Sequence, residues 1–182
     1  MGERLEDLPA IERSCWQQLE RAAAQRGHPW RTMALATTDG EAGHVRSVIL
    51  REVDAAARCL VFYTDVRSPK VAQLAAYPLG TLMAWSAELG WQVRLRCRFS
   101  VDHGGLAASS RWARLKLTPA AQDYLSPLAP GTALGARDGP GVAREAFALV
   151  EAQVQSIDWL ELHADGHRRA VFDDRGARWV QP

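Results

Sequence analysis

The sequence predicts a mainly β (α+β) fold, in which an antiparallel barrel is accompanied by peripheral helices. Short segments rich in β-branched residues recur along the chain, hairpin-type turns join several of them, and a short helix interrupts the series. Strands joined by hairpins form antiparallel sheets, and such a sheet loses its open edges by closing into a barrel. The length of 182 residues is that of about one domain, so we expect residues 1–182 to form a single domain.

The clearest strand covers residues 91–101, where apolar and polar side chains alternate over eleven positions. A period of two residues places the two sets on opposite faces of a strand. The polar set contains Arg94, Arg96 and Arg98, so one face is expected to be strongly basic. Gly90 precedes this strand and indicates a tight hairpin from a strand at 81–87.

Local signals place the remaining elements. Asp39 and Gly40 form a hairpin signature, and Ser68 with Pro69 predicts a helix that begins there and ends before Pro78. We expect further strands at 31–37, 44–51, 59–64, 157–163, 167–173 and 178–180. We expect further helices at 8–26, 106–116, 120–124 and 142–154, with a loop rich in Pro and Gly at 127–141.

Composition excludes several classes of protein. The net charge of +1 speaks against a nucleic-acid-binding protein, and no apolar run approaches the roughly 20 residues of a membrane span. The charged N-terminus lacks the apolar core of a signal peptide. The three cysteines are odd in number and widely spaced, so we expect neither a disulfide framework nor a thiolate zinc site, and the simplest location is a reducing cytoplasm.

Residues suited to binding a phosphate cluster near the predicted strand ends. Arg46, Arg51, Ser68 and Lys70 lie close in sequence, and guanidinium and ammonium groups bind phosphate by charge-assisted hydrogen bonds. The helix that begins after Ser68 adds the positive end of a dipole. The competing interpretation is that these arginines are solvated. Moreover, Arg46 and Arg51 are five residues apart, so they can share a ligand only at a strand end or past a bulge.

Common catalytic motifs are absent, with no GxSxG, HExxH or GxxxxGK[ST] segment. His163 and His167 are four residues apart, but on a predicted strand–turn–strand rather than on a helix. We therefore predict no metal site and interpret both histidines as residues of a strand end.

The ordered motifs of this chain resemble those of the pyridoxamine 5′-phosphate oxidases. The resemblance rests on four segments over about 65 residues: Arg46-Ser47-Val48-Ile49-Leu50-Arg51, Phe62-Tyr63-Thr64, Ser68-Pro69-Lys70 with Gln73-Leu74 and Tyr77-Pro78, and Gln92-Val93-Arg94. It implies an antiparallel FMN-binding split β-barrel with peripheral helices that works as a homodimer, with FMN at the interface and a small-molecule substrate. The cofactor-binding residues that it implies are Arg46, Ser47, Val48, Ile49, Arg51, Tyr63, Thr64, Ser68, Lys70, Gln92 (from the same or the other subunit) and Arg169.

The C-terminal segment departs from the family pattern. The oxidases carry Arg-x-His-Asp-Arg, and in the corresponding stretch here only His167 and Arg169 can stand in, because the leading Arg is replaced by Gly or Asp. The Trp expected on the preceding strand aligns with Leu160, or one residue early with Trp159. His167 and Arg94 are the candidate substrate-binding residues. The resemblance therefore carries over the fold and FMN, whereas the vitamin B6 substrate does not follow from it.

Three functions remain open from the sequence. The first is an FMN-dependent oxidoreductase, in which the cofactor carries the redox chemistry and no catalytic side chain stands out. The second is a non-catalytic split barrel that binds flavin, or binds haem through His163 or His167. The third is a dimeric barrel without a cofactor.

Overall fold

In the computed structural model, which describes residues 4–134 and 146–182, the strands form one antiparallel sheet of eight. The strand order is β3-β2-β1-β4-β5-β6-β7-β8, and β3 also pairs with β6. This additional pairing closes the first six strands into a barrel and leaves β7 and β8 as an extension beside β6. The predicted antiparallel barrel with peripheral helices is thereby confirmed.

The elements follow the order that the sequence predicts, with one exception described below. The strands are β1 (Thr32–Thr38), β2 (Gly43–Asp54), β3 (Cys59–Asp65), β4 (Leu79–Ser86), β5 (Trp91–Asp102), β6 (Phe147–Glu161), β7 (Arg168–Asp173) and β8 (Gly176–Val180). The helices are α1 (Leu8–Ala24), α2 (Pro69–Ala76) and α3 (Leu106–Leu115), with short 3₁₀ helices at Pro29–Arg31 and Pro119–Tyr124.

The barrel interior is filled by the inward-facing side chains of alternating strand positions, and α1 packs against β2. Asp7 caps α1 by accepting a hydrogen bond from the Ala10 N–H at 2.8 Å. The apolar stripe of α1 is completely buried at Ile11, Cys15 and Leu19. The barrel and α1 therefore share one core, and α1 supports β2 in addition to its pairing with β1 and β3.

A second apolar cluster lies outside the barrel, between strands β3 and β6 and the segment that contains α3. The Trp112 ring stacks on Phe147 with a centroid distance of 5.5 Å, and Tyr124 meets the same Phe147 edge to face at 5.4 Å. We call this group, together with Val61, Ala108, Ala121 and Leu149, the outer cluster. It packs α3 against β6 and the second 3₁₀ helix against β3.

The predicted helix at 142–154 is wrong, because residues 147–154 belong to the strand β6. Phe147, Val150 and Val154 have helix-like spacing, but the beginning of β6 is buried on both faces. Phe147 and Leu149 face the outer cluster, whereas Val150 faces the barrel, so the usual alternation of a strand is hidden there. The remaining residues of that prediction, 142–145, lie outside the described residues, as does part of the predicted loop.

No helix among the described residues is long and apolar enough to cross a membrane.

Candidate functional site

Arg46 lies at one end of the barrel, on the same face of β2 as the buried Val48 and Leu50. One guanidinium nitrogen donates to the Thr37 hydroxyl, and the other donates to Gln73 Oε1 at 2.9 Å. The Thr37 hydroxyl also donates to Gln73 Oε1, at 2.6 Å. These hydrogen bonds hold the Arg46 guanidinium between β1 and α2. Its partial burial lowers the pKa of Arg46.

Lys70 lies beside Arg46 at the beginning of α2. Its ammonium donates to the Thr64 hydroxyl at 2.9 Å and to the Ser68 hydroxyl at 2.6 Å. Ser68 occupies the predicted N-cap position, but its side chain makes no capping hydrogen bond to the helix. Burial lowers the pKa of Lys70, and the positive charge of Arg46 lowers it further. We call Arg46, Thr64, Ser68 and Lys70 the basic cradle.

The basic cradle concentrates positive charge that is not paired directly with a carboxylate in the described part of the chain. Within residues 4–134 and 146–182, neither Arg46 nor Lys70 has a carboxylate within 4 Å. The neighbouring Asp65 is engaged by Arg67 through both carboxylate oxygens, at 3.0 and 2.6 Å. Two partly buried cations that have only neutral partners favour an anion between them, and a phosphate offers several acceptor oxygens. The cradle therefore fits a phosphate group.

Arg51 forms a separate group with Tyr63. The register of β2 against β3 shifts between Leu50 and Glu52, so Arg51 is the extra residue of a β-bulge. Its guanidinium lies 5.7 Å from the centroid of the Tyr63 ring, and its Nε is buried without a hydrogen-bond partner in the described residues. The bulge that Arg46 and Arg51 would need in order to share a ligand is therefore present. Arg51 nevertheless lies with Tyr63 beside the outer cluster and not in the basic cradle.

Between these two groups, β2 presents its residues to opposite sides. Ser47 is exposed and Ile49 is half-buried on the outer face, whereas the Val48 side chain belongs to the barrel core. Val48 can therefore offer a ligand only its backbone, and Ser47 and Ile49 offer side chains.

The third group lies on the outer face of β5, β6 and β7. Arg169 donates from Nε and Nη2 to the two carboxylate oxygens of Asp158, at 2.9 and 2.7 Å, and Arg94 also donates to Asp158. Burial opposes ionisation of Asp158, but the hydrogen bonds from the two arginines lower its pKa overall. Gln92 lies on the same face, opposite Leu160, which in turn pairs with Arg169. His167, on the β6–β7 connection, accepts the His163 N–H through Nδ1 at 3.2 Å.

The single chain does not bring the third group next to the residues of β2. Strands β1 and β4 lie between β2 and β5, and three strand spacings amount to about 14 Å. Gln92 and Arg94 therefore face outward as Ser47 and Ile49 do, but on the opposite side of the barrel, because β2 and β5 are three strands apart in both directions around it. Among the described residues there is also no group of three or more His, Cys, Asp or Glu side chains that could hold a metal ion.

Comparison with known proteins identifies the family. A sequence model described as "Pyridoxamine 5′-phosphate oxidase, FMN-binding domain" matches residues 13–102, which include the whole basic cradle. The chain belongs to this family.

Individual members of the pyridoxamine 5′-phosphate oxidase family resemble this chain to different extents. A pyridoxine/pyridoxamine 5′-phosphate oxidase of Thermosynechococcus vestitus is 45% identical over 64 residues, which cover 35% of this chain and 29% of that enzyme. An enzyme of the same name from Granulibacter bethesdensis is 27% identical over 96% of this chain and 89% of its own length. A crystal structure of a pyridoxamine 5′-phosphate oxidase-related, FMN-binding protein from Nostoc punctiforme superposes with a TM-score of 0.73 at 18% identity, over 99% of this chain and all of that one.

Some residues of this family member's site have no signal of their own in the sequence. Thr37 and Asp158 have no predicted role, yet one orients Arg46 and the other binds Arg94 and Arg169. Glu52 and Arg111 meet beside Tyr63 although they are 59 residues apart. Only the position of Glu52 directly after Arg51 could have drawn attention to it.

Proposed function

We propose that this protein binds FMN in the basic cradle and acts as an FMN-dependent oxidoreductase on a small molecule. The observation that carries the proposal is the pair of partly buried cations, Arg46 and Lys70, which have hydroxyl and amide partners but no carboxylate partner among the residues that the structure describes. In this proposal Arg46 and Lys70 bind the FMN phosphate, with Thr64 and Ser68 holding the lysine in place. When bound, FMN supplies the redox chemistry by accepting two electrons from the substrate.

The other proposed cofactor contacts follow from the position of the cradle. Ser47, Ile49 and the backbone of Val48 run along β2 away from Arg46 and would contact the rest of the cofactor. Arg51 and Tyr63 lie beyond them at the bulge, where the Arg51 Nε is buried and has no hydrogen-bond partner among the described residues. Gln92 and Arg169 would contact the flavin from the outer face of β5 and β7.

The substrate is proposed only as a small molecule. The two relatives are named for pyridoxine and pyridoxamine 5′-phosphate, so pyridoxamine 5′-phosphate is the first compound to test. Arg94 and His167 are the proposed substrate contacts. Asp158 partly neutralises Arg94 and Arg169, so this group offers an anionic substrate less charge than two free arginines would.

We further propose that two copies associate through the outer face of β2, β1 and β4. This face carries Val45, which is 70% exposed, and Trp85, which is 40% exposed, beside the small side chains of Ala34 and Ala36. A second copy on this face would cover apolar surface, and it could bring its Gln92 to the β2 of the first copy. The two FMN sites would then lie at the interface. The three free thiols, two of them buried, support a location in the cytoplasm.

The visible spectrum of the purified protein tests the cofactor assignment. We expect flavin absorbance, and we expect the apo form to quench the fluorescence of added FMN at a 1:1 ratio to the chain. Turnover is then tested with pyridoxamine 5′-phosphate and other reduced small molecules under oxygen. Colourless protein that leaves FMN fluorescence unchanged would contradict the assignment, and a Soret band would favour haem binding through His163 or His167.

Replacing Val45 with aspartate tests the proposed dimer. We expect the wild type to sediment at twice the 20.1 kDa mass of the chain, and Val45→Asp to raise the dimer dissociation constant at least tenfold, because each interface would bury two new charges. FMN affinity should fall with it. The matched control is Leu117→Asp, at an apolar residue that is 83% exposed elsewhere. A Val45→Asp protein that stays dimeric at the same concentration would contradict this interface.

A further inference from the structure

Three side chains form a hydrogen-bonded chain between α3 and the bulge of β2. The Arg111 guanidinium donates from Nε to Glu52 Oε1 at 2.8 Å and from Nη2 to Oε2 at 2.6 Å. The Tyr63 hydroxyl donates to the same Oε1 at 2.6 Å. Glu52 thus joins a helix residue to a residue of β3, although neither Glu52 nor Arg111 belongs to the cofactor contacts proposed above.

The bulge makes this arrangement possible. In a regular strand, neighbouring side chains point to opposite faces. Arg51 is the extra residue of the bulge, and both Arg51 and Glu52 reach the same tyrosine. The Arg51 guanidinium lies 5.7 Å from the Tyr63 ring centroid, while Glu52 accepts the hydroxyl of that ring.

These contacts fix the Tyr63 ring at several points. Its hydroxyl is held by Glu52, and its face meets Phe147 of the outer cluster edge to face at a centroid distance of 5.0 Å. Burial and the neighbouring Glu52 raise the pKa of Tyr63, so its hydroxyl keeps the proton that it donates. The Arg111 hydrogen bonds lower the pKa of Glu52, so its carboxylate stays ionised as the acceptor. The ring on which Arg51 rests is therefore held in one orientation.

We propose that Arg111 is a positioning residue of the flavin site, which acts through Glu52 to orient Tyr63 and the Arg51 guanidinium above it. This inference rests on the proposed function, because it assigns Arg51 and Tyr63 to the cofactor. The bidentate geometry matters, since a planar guanidinium fork fixes both oxygens of Glu52 where a lysine would fix only one. A partly exposed ion pair of this kind contributes little to stability, which separates its positioning role from a structural one.

The test measures FMN affinity and the apo-protein melting temperature for a set of variants. We expect Arg111→Gln, Glu52→Gln and Tyr63→Phe each to raise the FMN dissociation constant about 5- to 10-fold and to change the circular dichroism of the bound flavin. Arg111→Lys should lie between Arg111→Gln and the wild type. Lys116→Gln removes a positive charge from the exposed end of α3 and should leave the affinity unchanged.

The double variant Arg111→Gln/Tyr63→Phe decides whether the residues act in series. If Arg111 acts through Tyr63, the FMN affinity of the double variant equals that of whichever single variant binds FMN less tightly. Wild-type affinity in Arg111→Gln, or independent losses that multiply in the double variant, would overturn the proposal while FMN binding by the wild type still stands. If the wild type itself does not bind FMN, the proposed function fails first and this inference fails with it.

Discussion

Replacing Arg46 with alanine is expected to weaken FMN binding about 100-fold. A hydrogen bond to a charged group contributes roughly 1.5–3 kcal/mol, and each 1.4 kcal/mol corresponds to about a factor of ten. In residues 4–134 and 146–182 no carboxylate pairs with Arg46 and would compete with the phosphate, and Thr37 and Gln73 already hold its guanidinium in place. The affinity is measured by titrating the apo protein with FMN and following the fluorescence of the cofactor.

Two further variants separate charge from geometry in the basic cradle. Arg46→Lys keeps the charge but loses the guanidinium fork, so its affinity should fall between those of the wild type and Arg46→Ala. Lys70→Ala should weaken binding at least tenfold, because it removes the second cation and leaves the Thr64 and Ser68 hydroxyls without their donor.

The matched control for Arg46→Ala is Arg13→Ala, which removes one positive charge from the exposed side of α1. It should bind FMN as the wild type does. The apo protein should tolerate Arg46→Ala well, since the change also relieves repulsion between Arg46 and Lys70. Unchanged FMN affinity together with a large drop in apo-protein stability would mean that the cradle is a structural feature and not a phosphate site.

The sequence predicted those parts of the fold in which a single local pattern dominates. Strand β5 is buried on one face only, so its alternation is visible, and the observed strand, Trp91–Asp102, matches the prediction to within a residue. The hairpin after Asp39-Gly40 and the helix after Ser68 also follow from residues that are adjacent in the chain. The sequence also indicated the basic cradle, because three of its four residues lie within seven positions of one another in the chain.

What the sequence could not provide depends on contacts between distant segments. The outer cluster buries Phe147 on the outside of the barrel. Nothing in the neighbouring sequence distinguishes this burial from that of a residue on the core face of a helix. The bulge at Arg51 is defined only by the register against β3. Likewise, Asp158 binds Arg94 across the β5–β6 pairing, and Arg111 reaches Glu52 because α3 packs against β6.

The distribution of the site residues bears on how the protein works. A single chain presents its predicted cofactor residues as three groups, and hydrogen bonds within the chain hold the residues of the basic cradle in place. The groups at Arg51 and at Arg94 lie on different outer surfaces of the barrel. Such separation is expected if a second copy completes each site, so the affinity for FMN should depend on protein concentration in the range where the dimer dissociates.

Replacing Glu161 with glutamine is expected to lower the free energy of unfolding by about 3 kcal/mol, the lower end of the range for breaking a buried ion pair. Glu161 ends β6, is 5% exposed, and accepts hydrogen bonds from Arg4 at 2.7 Å, Arg168 at 2.8 Å and the Trp91 indole at 3.3 Å. The amide removes the negative charge and leaves Arg168 without its close carboxylate, between the Trp159 and Trp179 rings. For a domain of this size the melting temperature should fall by about 6–12 °C.

The pH dependence of this loss distinguishes a charge effect from a change in packing. Burial opposes ionisation of Glu161, but the hydrogen bonds from Arg168, Arg4 and Trp91 prevail and lower its pKa in the folded protein. A carboxyl with a lowered folded pKa stabilises the fold fully above its unfolded pKa of about 4.3, and this contribution disappears as the pH falls through the folded value. Urea unfolding of the apo proteins should therefore show the full difference in unfolding free energy between wild type and Glu161→Gln near pH 7 and a smaller one below about pH 4.

The control, Glu151→Gln on the exposed face of β6, should change stability by less than about 0.5 kcal/mol. If the unfolding free energies of wild type and Glu161→Gln differ by the same amount at both pH values, the effect of the substitution is due to packing. The ion pairs of Glu161 would then not explain how the end of β6 is held to the N-terminal segment.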